Sequence, residues 1–374
     1  SENDTLKGNS NFASWIDVIN SYTGNNTAGN DVKLTLNSTI QQAAQDALEG
    51  YNGACVVIDP ETGAVLALAS SPTYNAADIE SILSSGNESS ALYNRATQAL
   101  YSPGSTFKIV SLTTGLENNV ATESSVFSAP SKLEIGGGEV TNFNDASYGD
   151  ITLERATELS ANTVFAQLGT EIGADALVSS SEEFGFNQDI SFDLPLVKSL
   201  MPNPDEMTEW ETAWAAAGEP VGEHESPAGP QASVLQMALV GCAIANDGVI
   251  MQPYLVDSVY NAEGENSYRA TPSQLYTACS SSIASRVKTV LEGVVNNGTG
   301  TAAAVDGVQI AGKTGTAETG KPKDDRWFVG MGPSEDCSVV VAIVLEEAGE
   351  DLPGGAAGRA QNVLETALEI QGRL

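Results

Sequence analysis

The hydrophobic period of this chain begins only after a polar lead. Residues 1–30 are rich in Asn, Gly, Ser and Thr, show no sustained period, and are expected to be a linker or the remnant of an upstream domain. From Asp31 to Leu36 apolar and polar positions alternate as on a strand, which opens a domain expected to run over residues 31–374. Ser38 and Gln41 have the spacing of a capping box, for a helix carrying Ile40, Ala44, Ala47 and Leu48. Two apolar runs follow, Ala54 to Ile58 and Ala64 to Ala69, joined by Asp59-Pro60-Glu61-Thr62-Gly63; they predict a β-hairpin buried on both faces. Between about 75 and 305 the pattern is mainly helical with long loops, one of which, Gly136-Gly137-Gly138, must be flexible or tightly turned. Strand character returns at Val308 to Ala317, Arg326 to Met331 and Cys337 to Leu345, and an amphipathic helix from Gly355 to Ile370 closes the chain on Val363, Leu364, Ala367 and Leu368.

Strands at both ends with a helical block between them imply one sheet whose halves pair across a long insertion. The class expected is an α/β sandwich of the α+β type, with no internal repeat.

Composition narrows the function by exclusion. The 374 residues are 41% hydrophobic and 17% charged, enough for a large core in an ordinary globular protein. The longest apolar run, Val339 to Leu345, is far too short to span a bilayer, and no stretch reads as a signal peptide; the chain as given is expected to be soluble, with any membrane anchor outside it. Sixteen basic residues stand against 49 acidic ones, a formal net charge of −33, which repels nucleic acid and anionic lipid, so no nucleic-acid partner is expected. The acids are scattered, in pairs such as Glu346-Glu347 and Asp324-Asp325, and form no metal-type cluster. Cys55, Cys242, Cys279 and Cys337 share no metal-type spacing either, and three of them lie in apolar surroundings as small core residues do. With His224 the only histidine, two-histidine metal sites are excluded, and a serine–histidine–acid triad would have to use that residue, which sits in a polar turn. No metal or cofactor is expected, and a serine enzyme here would need lysine as its base.

Such a pair exists. In Ser102-Pro103-Gly104-Ser105-Thr106-Phe107-Lys108 the Pro-Gly step breaks what precedes, and Phe107, Val110, Leu112 and Leu116 follow at helical spacing. Ser105 then falls on a first helical turn, where free N–H groups favour an anion, and Lys108 shares its face. The pattern alone is weak, because Ser285-Arg286-Val287-Lys288 repeats it on what reads as an ordinary helix with a solvated face. A second element, Ser160-Ala161-Asn162, offers a hydroxyl and a carboxamide two residues apart, and is equally commonplace: Ser85-Gly86-Asn87 repeats it in a loop. The third is sharper. Lys313-Thr314-Gly315 occurs once and on a strand, where glycine weakens the ladder unless a ligand must come close to the backbone.

In this order the three elements resemble the motif set of the penicillin-recognising serine enzymes. Their flanks narrow the resemblance to class B penicillin-binding proteins: Asn94-Arg95-Ala96, Tyr101-Ser102-Pro103-Gly104, Leu235-Gln236-Met237-Ala238, Ala245-Asn246-Asp247-Gly248, Asn297-Gly298-Thr299-Gly300-Thr301-Ala302, Thr316-Ala317-Glu318 and Trp327-Phe328-Val329-Gly330. It covers residue 31 to the end. The chain departs from the family in having Ser233-Val234 where Thr-Pro is frequent, and Glu223-His224-Glu225 in the preceding loop. The resemblance implies a central, mainly antiparallel five-stranded sheet flanked by helices, with a large helical subdomain inserted. It implies a peptidoglycan D,D-transpeptidase that cross-links stem peptides ending in D-alanyl-D-alanine and is acylated by β-lactams. Ser105 would be the nucleophile and Lys108 its base, with Lys313 as the second cation that lowers the Lys108 pKa. Ser160 would pass the proton to the leaving amine, and Asn162 would hold the substrate amide and support Lys108. The backbone N–H groups of Ser105 and Thr316 would form the oxyanion hole. Lys313, Thr314, Gly315 and Thr316 would bind the substrate and its terminal carboxylate. The place of work would be the extracytoplasmic face of a bacterial cell membrane, reached through an anchor that this chain lacks, with a glycosyltransferase as a partner in a cell-wall synthesis complex. Cys55 and Cys337 fall on strands the family pairs, but at opposite ends of an antiparallel pair, so free thiols are expected.

Other readings use the same scaffold. A D,D-carboxypeptidase or a β-lactamase would hand the acyl group to water, and a non-catalytic sensor would be acylated and signal. The commonest serine β-lactamases need a glutamate with an asparagine four residues on; Glu206 lacks the asparagine, and Glu183 with Asn187 lies in a glycine-broken stretch.

Overall fold

A computed structural model describes residues 29–84, 90–222 and 224–374. Nearly all of the expected linker, together with Ser85-Gly86-Asn87 and Glu223, lies outside them. Five strands form the central sheet: β1 (Gly53–Ile58), β2 (Val65–Ser71), β3 (Ala311–Ala317), β4 (Asp325–Gly332) and β5 (Val339–Leu345). Their order is β3-β4-β5-β1-β2 and every neighbouring pair is antiparallel, so the two ends of the chain meet where β5 pairs with β1, Ile343 opposite Cys55. The helices that matter below are α1 (Ser38–Ala47), α2 (Lys108–Glu117), α3 (Leu153–Leu159), α4 (Asn162–Ile172), α5 (Glu209–Ala217), α6 (Val234–Ala245), α7 (Ser281–Asn297) and α8 (Gly355–Ile370).

Side chains of a strand alternate between faces, and this sheet is covered on both. On one face Val56, Val329, Val340 and Val344 join the core built by α2, α4 and α6; on the other Cys55, Val57, Phe328, Val341 and Ile343 pack against α1 and α8. That is why β1 and β5 carry no polar residue and why every residue of α6 is buried.

Several expectations are corrected. The cap of α1 is Asn37, whose side chain accepts from the N–H groups of Thr39 and Ile40; Gln41 instead bridges to the backbone of Leu68 on β2. An Asx side chain one residue earlier outcompetes the Ser38 hydroxyl. β2 is an edge strand with Leu66 and Leu68 only partly buried, not buried on both faces. The helical block also holds two small hairpins; in one, Lys132–Ile135 and Gly138–Thr141 turn through Gly136 and Gly137, both at positive φ, the tight alternative of the two expected. Strand Asp31–Leu34 pairs with Val256–Tyr260 outside the main sheet. Cys337 precedes β5 rather than lying on it; Cys55 and Cys337 are free thiols, as expected, and so are Cys242 and Cys279.

Replacing Ile343, fully buried at the centre of β5, by Ala is expected to cost about 2–5 kcal/mol, read as a lower urea midpoint with unchanged slope. A loss under about 1 kcal/mol would contradict a packed two-faced sheet at this position.

Candidate active site

The site forms where the insertion meets the free edge of β3. Gly104 to Phe107 make a 3-10 turn that runs straight into α2, so Ser105 enters a helix start as expected, although the turn is tighter than α. Lys108 and Ser105 are three residues apart on one face, and the Lys108 Nζ lies 2.8 Å from the Ser105 Oγ. α3 ends on Ser160, whose φ of 59° is left-handed, and α4 begins at Asn162. That reversal aims two groups at one lysine: the Asn162 Oδ1 is 2.5 Å and the Ser160 carbonyl 2.9 Å from the Lys108 Nζ. Asn162 is itself held, its Nδ2 donating to the Thr141 carbonyl at 2.9 Å.

Strand alternation on β3 splits its motif between two faces. Lys313 and Gly315 face the insertion. The Lys313 Nζ donates to the Ser160 Oγ at 2.8 Å and to the Thr314 carbonyl at 3.0 Å, and the same Oγ is 3.3 Å from the Lys108 Nζ. Gly315 lies against Pro103 and Thr106, where a Cβ would come within 2.9 Å of the Thr106 methyl and 3.0 Å of the Pro103 carbonyl. The close approach that requires glycine here is therefore that of the turn carrying Ser105, not of the ligand that the sequence suggested. Gly104, at φ +50°, touches the strand from the other side, since a Cβ there would stand 2.2 Å from the Thr316 carbonyl oxygen. Thr314 and Thr316 point the other way, into the cleft: the Thr314 hydroxyl is 2.6 Å from that of Thr299, and the Thr316 hydroxyl accepts from Arg326 at 2.7 Å.

All eight residues singled out in the sequence thus meet at one place. Ser105, Ser160, Asn162, Thr314, Gly315 and Thr316 line a cleft of about 660 Å³, and Lys108 and Lys313 lie fully buried beneath it. The second Ser-x-x-Lys sits on α7 with Ser285 exposed. His224 bonds to Glu211 at 2.8 Å, and neither it nor Glu183 or Glu206 lines the cleft. Sequence reasoning assigned no role to Thr299, Arg326, Phe143 or Glu219, all of which do. Thr299 was visible inside Asn297-Gly298-Thr299-Gly300; the rest had no local signal.

Burial dominates the electrostatics. It pushes Lys313 down to about 7, and burial with the neighbouring Lys313 charge holds Lys108 well below its ordinary value. Glu219 is raised to about 7, first by burial and then by Glu318, while its attraction to Lys108 opposes the shift. Among the described residues no group of three or more His, Cys, Asp or Glu could hold a metal ion, and no helix is long and apolar enough to cross a membrane.

A serine, two buried lysines and a carboxamide around an edge strand define a serine acyl-transfer site on an α+β scaffold. The chain belongs to the penicillin binding protein transpeptidase domain family, whose model matches residues 53–367. It is 33% identical over 362 residues to the peptidoglycan D,D-transpeptidase PbpA of Mycolicibacterium smegmatis, covering 90% of this chain and 71% of that protein. The crystal structure of the D,D-transpeptidase domain of a peptidoglycan glycosyltransferase from Eggerthella lenta is similar at a TM-score of 0.90 and 59% identity, over 96% of this chain and 88% of that one. The imipenem acyl-enzyme complex of penicillin-binding protein A from M. tuberculosis superposes at a TM-score of 0.86 with 29% identity, over 98% and 86% of the two chains.

A depressed lysine pKa makes stability depend on pH with a defined sign. Below about 7 Lys313 is protonated in both folded and unfolded chains, and folding bears the whole cost of burying the charge; between about 7 and 10.5 the folded state has released a proton that the unfolded state keeps, so stability rises. The advantage of Lys313→Met over the parent chain, by chemical denaturation, is therefore expected to shrink by on the order of a few kcal/mol from pH 7 to pH 10. A pH-independent difference would mean that Lys313 keeps an ordinary pKa.

Proposed function

We propose that this transpeptidase cross-links peptidoglycan through an acyl ester on Ser105, with residues 31–374 as the transpeptidase domain and about 75–305 as its helical insertion. The observation that carries the assignment is the hydrogen-bond valence of Lys108. Its Nζ has two neighbours that can only accept, the Asn162 Oδ1 and the Ser160 carbonyl, and two hydroxyls that can donate, Ser105 at 2.8 Å and Ser160 at 3.3 Å. A neutral amine fits this set, with two N–H bonds to the carbonyl oxygens and its lone pair toward the Ser105 proton. Burial and Lys313 favour that neutral form.

The Ser105 hydroxyl passes its proton to the Lys108 Nζ as its oxygen bonds the carbonyl carbon of the penultimate D-alanine. The developing oxyanion is held by the N–H groups of Ser105, on a helical first turn, and Thr316, on an unpaired sheet edge. Lys108 then gives up the proton through the Ser160 Oγ to the leaving nitrogen; the C–N bond breaks, D-alanine departs, and the ester remains. In the second half an amine of a neighbouring stem attacks the ester, its proton returns along the same route to Ser105, and the cross-link is released. Asn162 orients the stem's amide, Thr314 and Thr316 bind the terminal carboxylate, and Lys313, buried beneath the cleft and bonded to the Ser160 Oγ, supports the relay. A β-lactam follows the first half, but the leaving nitrogen stays tethered and the ester persists. The acyl-enzyme form of the M. tuberculosis relative supports this reading.

Peptidoglycan lies outside the cytoplasm, and we place the work at the outer face of a bacterial membrane through an anchor beyond this chain. A glycosyltransferase partner follows from the chemistry, because the stems to be joined hang from newly polymerised strands.

Incubation with benzylpenicillin, followed by intact mass over hours, is expected to give one stable adduct on the parent chain and none on Ser105→Ala. An adduct lost within seconds would indicate a β-lactamase, and one retained by Ser105→Ala would remove Ser105 as nucleophile.

A further inference from the structure

Arg326 is the structural feature that the proposed reaction leaves unused. It lies on β4 directly opposite Thr316, and its side chain opens on the same cleft as Ser105. One of its terminal nitrogens, Nη1, donates to the Thr316 hydroxyl at 2.7 Å. The other, Nη2, and Nε are buried and have no hydrogen-bond partner, a rare condition for a group with five donors. The nearest carboxylate, Asp324, stands 3.9 Å from Nη2, beyond hydrogen-bond range, and the Arg326 side chain is only 14% exposed. The guanidinium is fixed in aim by the ring of Phe143, whose centroid is 5.5 Å from its central carbon. A buried planar fork with two free donors beside a threonine hydroxyl is complementary to a carboxylate, which accepts two parallel N–H bonds.

The charge balance of the cleft points the same way. Asp145, Glu219, Glu318 and Glu350 line it and repel an anion, and among the described lining residues Arg326 is the only lysine or arginine. Lys313 lies beneath, bonded to the Ser160 hydroxyl and the Thr314 carbonyl, and with a pKa of about 7 it is charged only part of the time at neutral pH. A guanidinium is charged throughout.

We infer that Arg326 is the permanent anion-binding charge of this site, holding the terminal carboxylate of the stem peptide, and the matching carboxylate of a β-lactam, together with the hydroxyls of Thr314 and Thr316. The inference rests on the acyl-serine reading above and divides its cations between two tasks. Lys313 serves the proton relay through Ser160, and Arg326 serves recognition.

The test compares second-order acylation by benzylpenicillin and by its neutral methyl ester, in the parent chain, Arg326→Gln, Arg326→Lys and Ser105→Ala. The parent is expected to react faster with the acid than with the ester. Arg326→Gln should lower the acid rate about 10- to 100-fold and leave the ester rate within about threefold, so that the preference disappears. Arg326→Lys, which keeps the charge without the fork, should fall between the two. Equal losses with acid and ester would make Arg326 a structural residue of the β3–β4 edge and overturn the inference, as would an unchanged acid-to-ester ratio in both variants. Labelling that survives in Ser105→Ala would defeat the acyl-serine assignment instead, and the ratio would still report on Arg326.

Discussion

Two lysine amino groups meet on one serine hydroxyl in the interior of this protein, and most of the local architecture follows from keeping them there. Lys108 and Lys313 both reach the Ser160 Oγ, at 3.3 and 2.8 Å, and both are fully buried. Two charges cannot share so small a buried volume, so the fold holds at least one amine neutral at ordinary pH. The cost is offset by acceptors that demand an N–H and by the packing of Phe165, whose ring centroid is 5.3 Å from the Lys108 Nζ. The left-handed Ser160 supplies a carbonyl and a hydroxyl to the same lysine, a geometry that a residue continuing α3 could not offer.

The sheet turns this pairing into a site by simple alternation. An odd residue of β3 reaches toward the insertion, an even one toward the cleft, so Lys313 reaches the Ser160 hydroxyl while Thr314 and Thr316 line the cleft. Register carries the rule to the next strand, placing Arg326 opposite Thr316. Trp327, next to it, turns inward, packs edge-on against Tyr101 and donates to the Ser102 carbonyl at 3.0 Å. Gly218, at φ +103°, abuts the Gly104 carbonyl so closely that a Cβ would stand 1.8 Å away. The turn that carries Ser105 is thus clamped between β3 and the end of α5.

What could be read from the sequence depended on range. Ser105 and Lys108 were legible because a helical turn brings positions three apart together, and the order of the sheet was foreshadowed because apolar runs cluster at the two ends of the chain. Gly315 announced a close approach, but not that its partner would be Pro103 and Thr106 rather than a ligand. Arg326 was invisible as a site residue: in sequence it is one more charge beside Asp324 and Asp325, and only the β3–β4 register sets it opposite Thr316. The cap of α1 was misread for the opposite reason, since Asn37 and Ser38 are both good caps and propensity does not choose between neighbours.

The surface charge bears on recognition in a way that neither sequence nor site shows alone. A chain with 49 acidic and 16 basic residues repels its anionic substrate at long range. At physiological ionic strength such repulsion fades beyond about 8 Å, so the acids that count at the moment of binding are those lining the cleft, Asp145, Glu219, Glu318 and Glu350. Glu219 is weakened as a repellent because burial and Glu318 raise it to about 7, leaving it partly protonated. A lysine depressed to the same range would be a poor counterweight. A guanidinium, which holds its proton throughout, offers a carboxylate a fixed positive charge whatever the protonation state of Lys108, Lys313 and Glu219, and in the proposed mechanism this lets the relay change its charge without releasing the substrate.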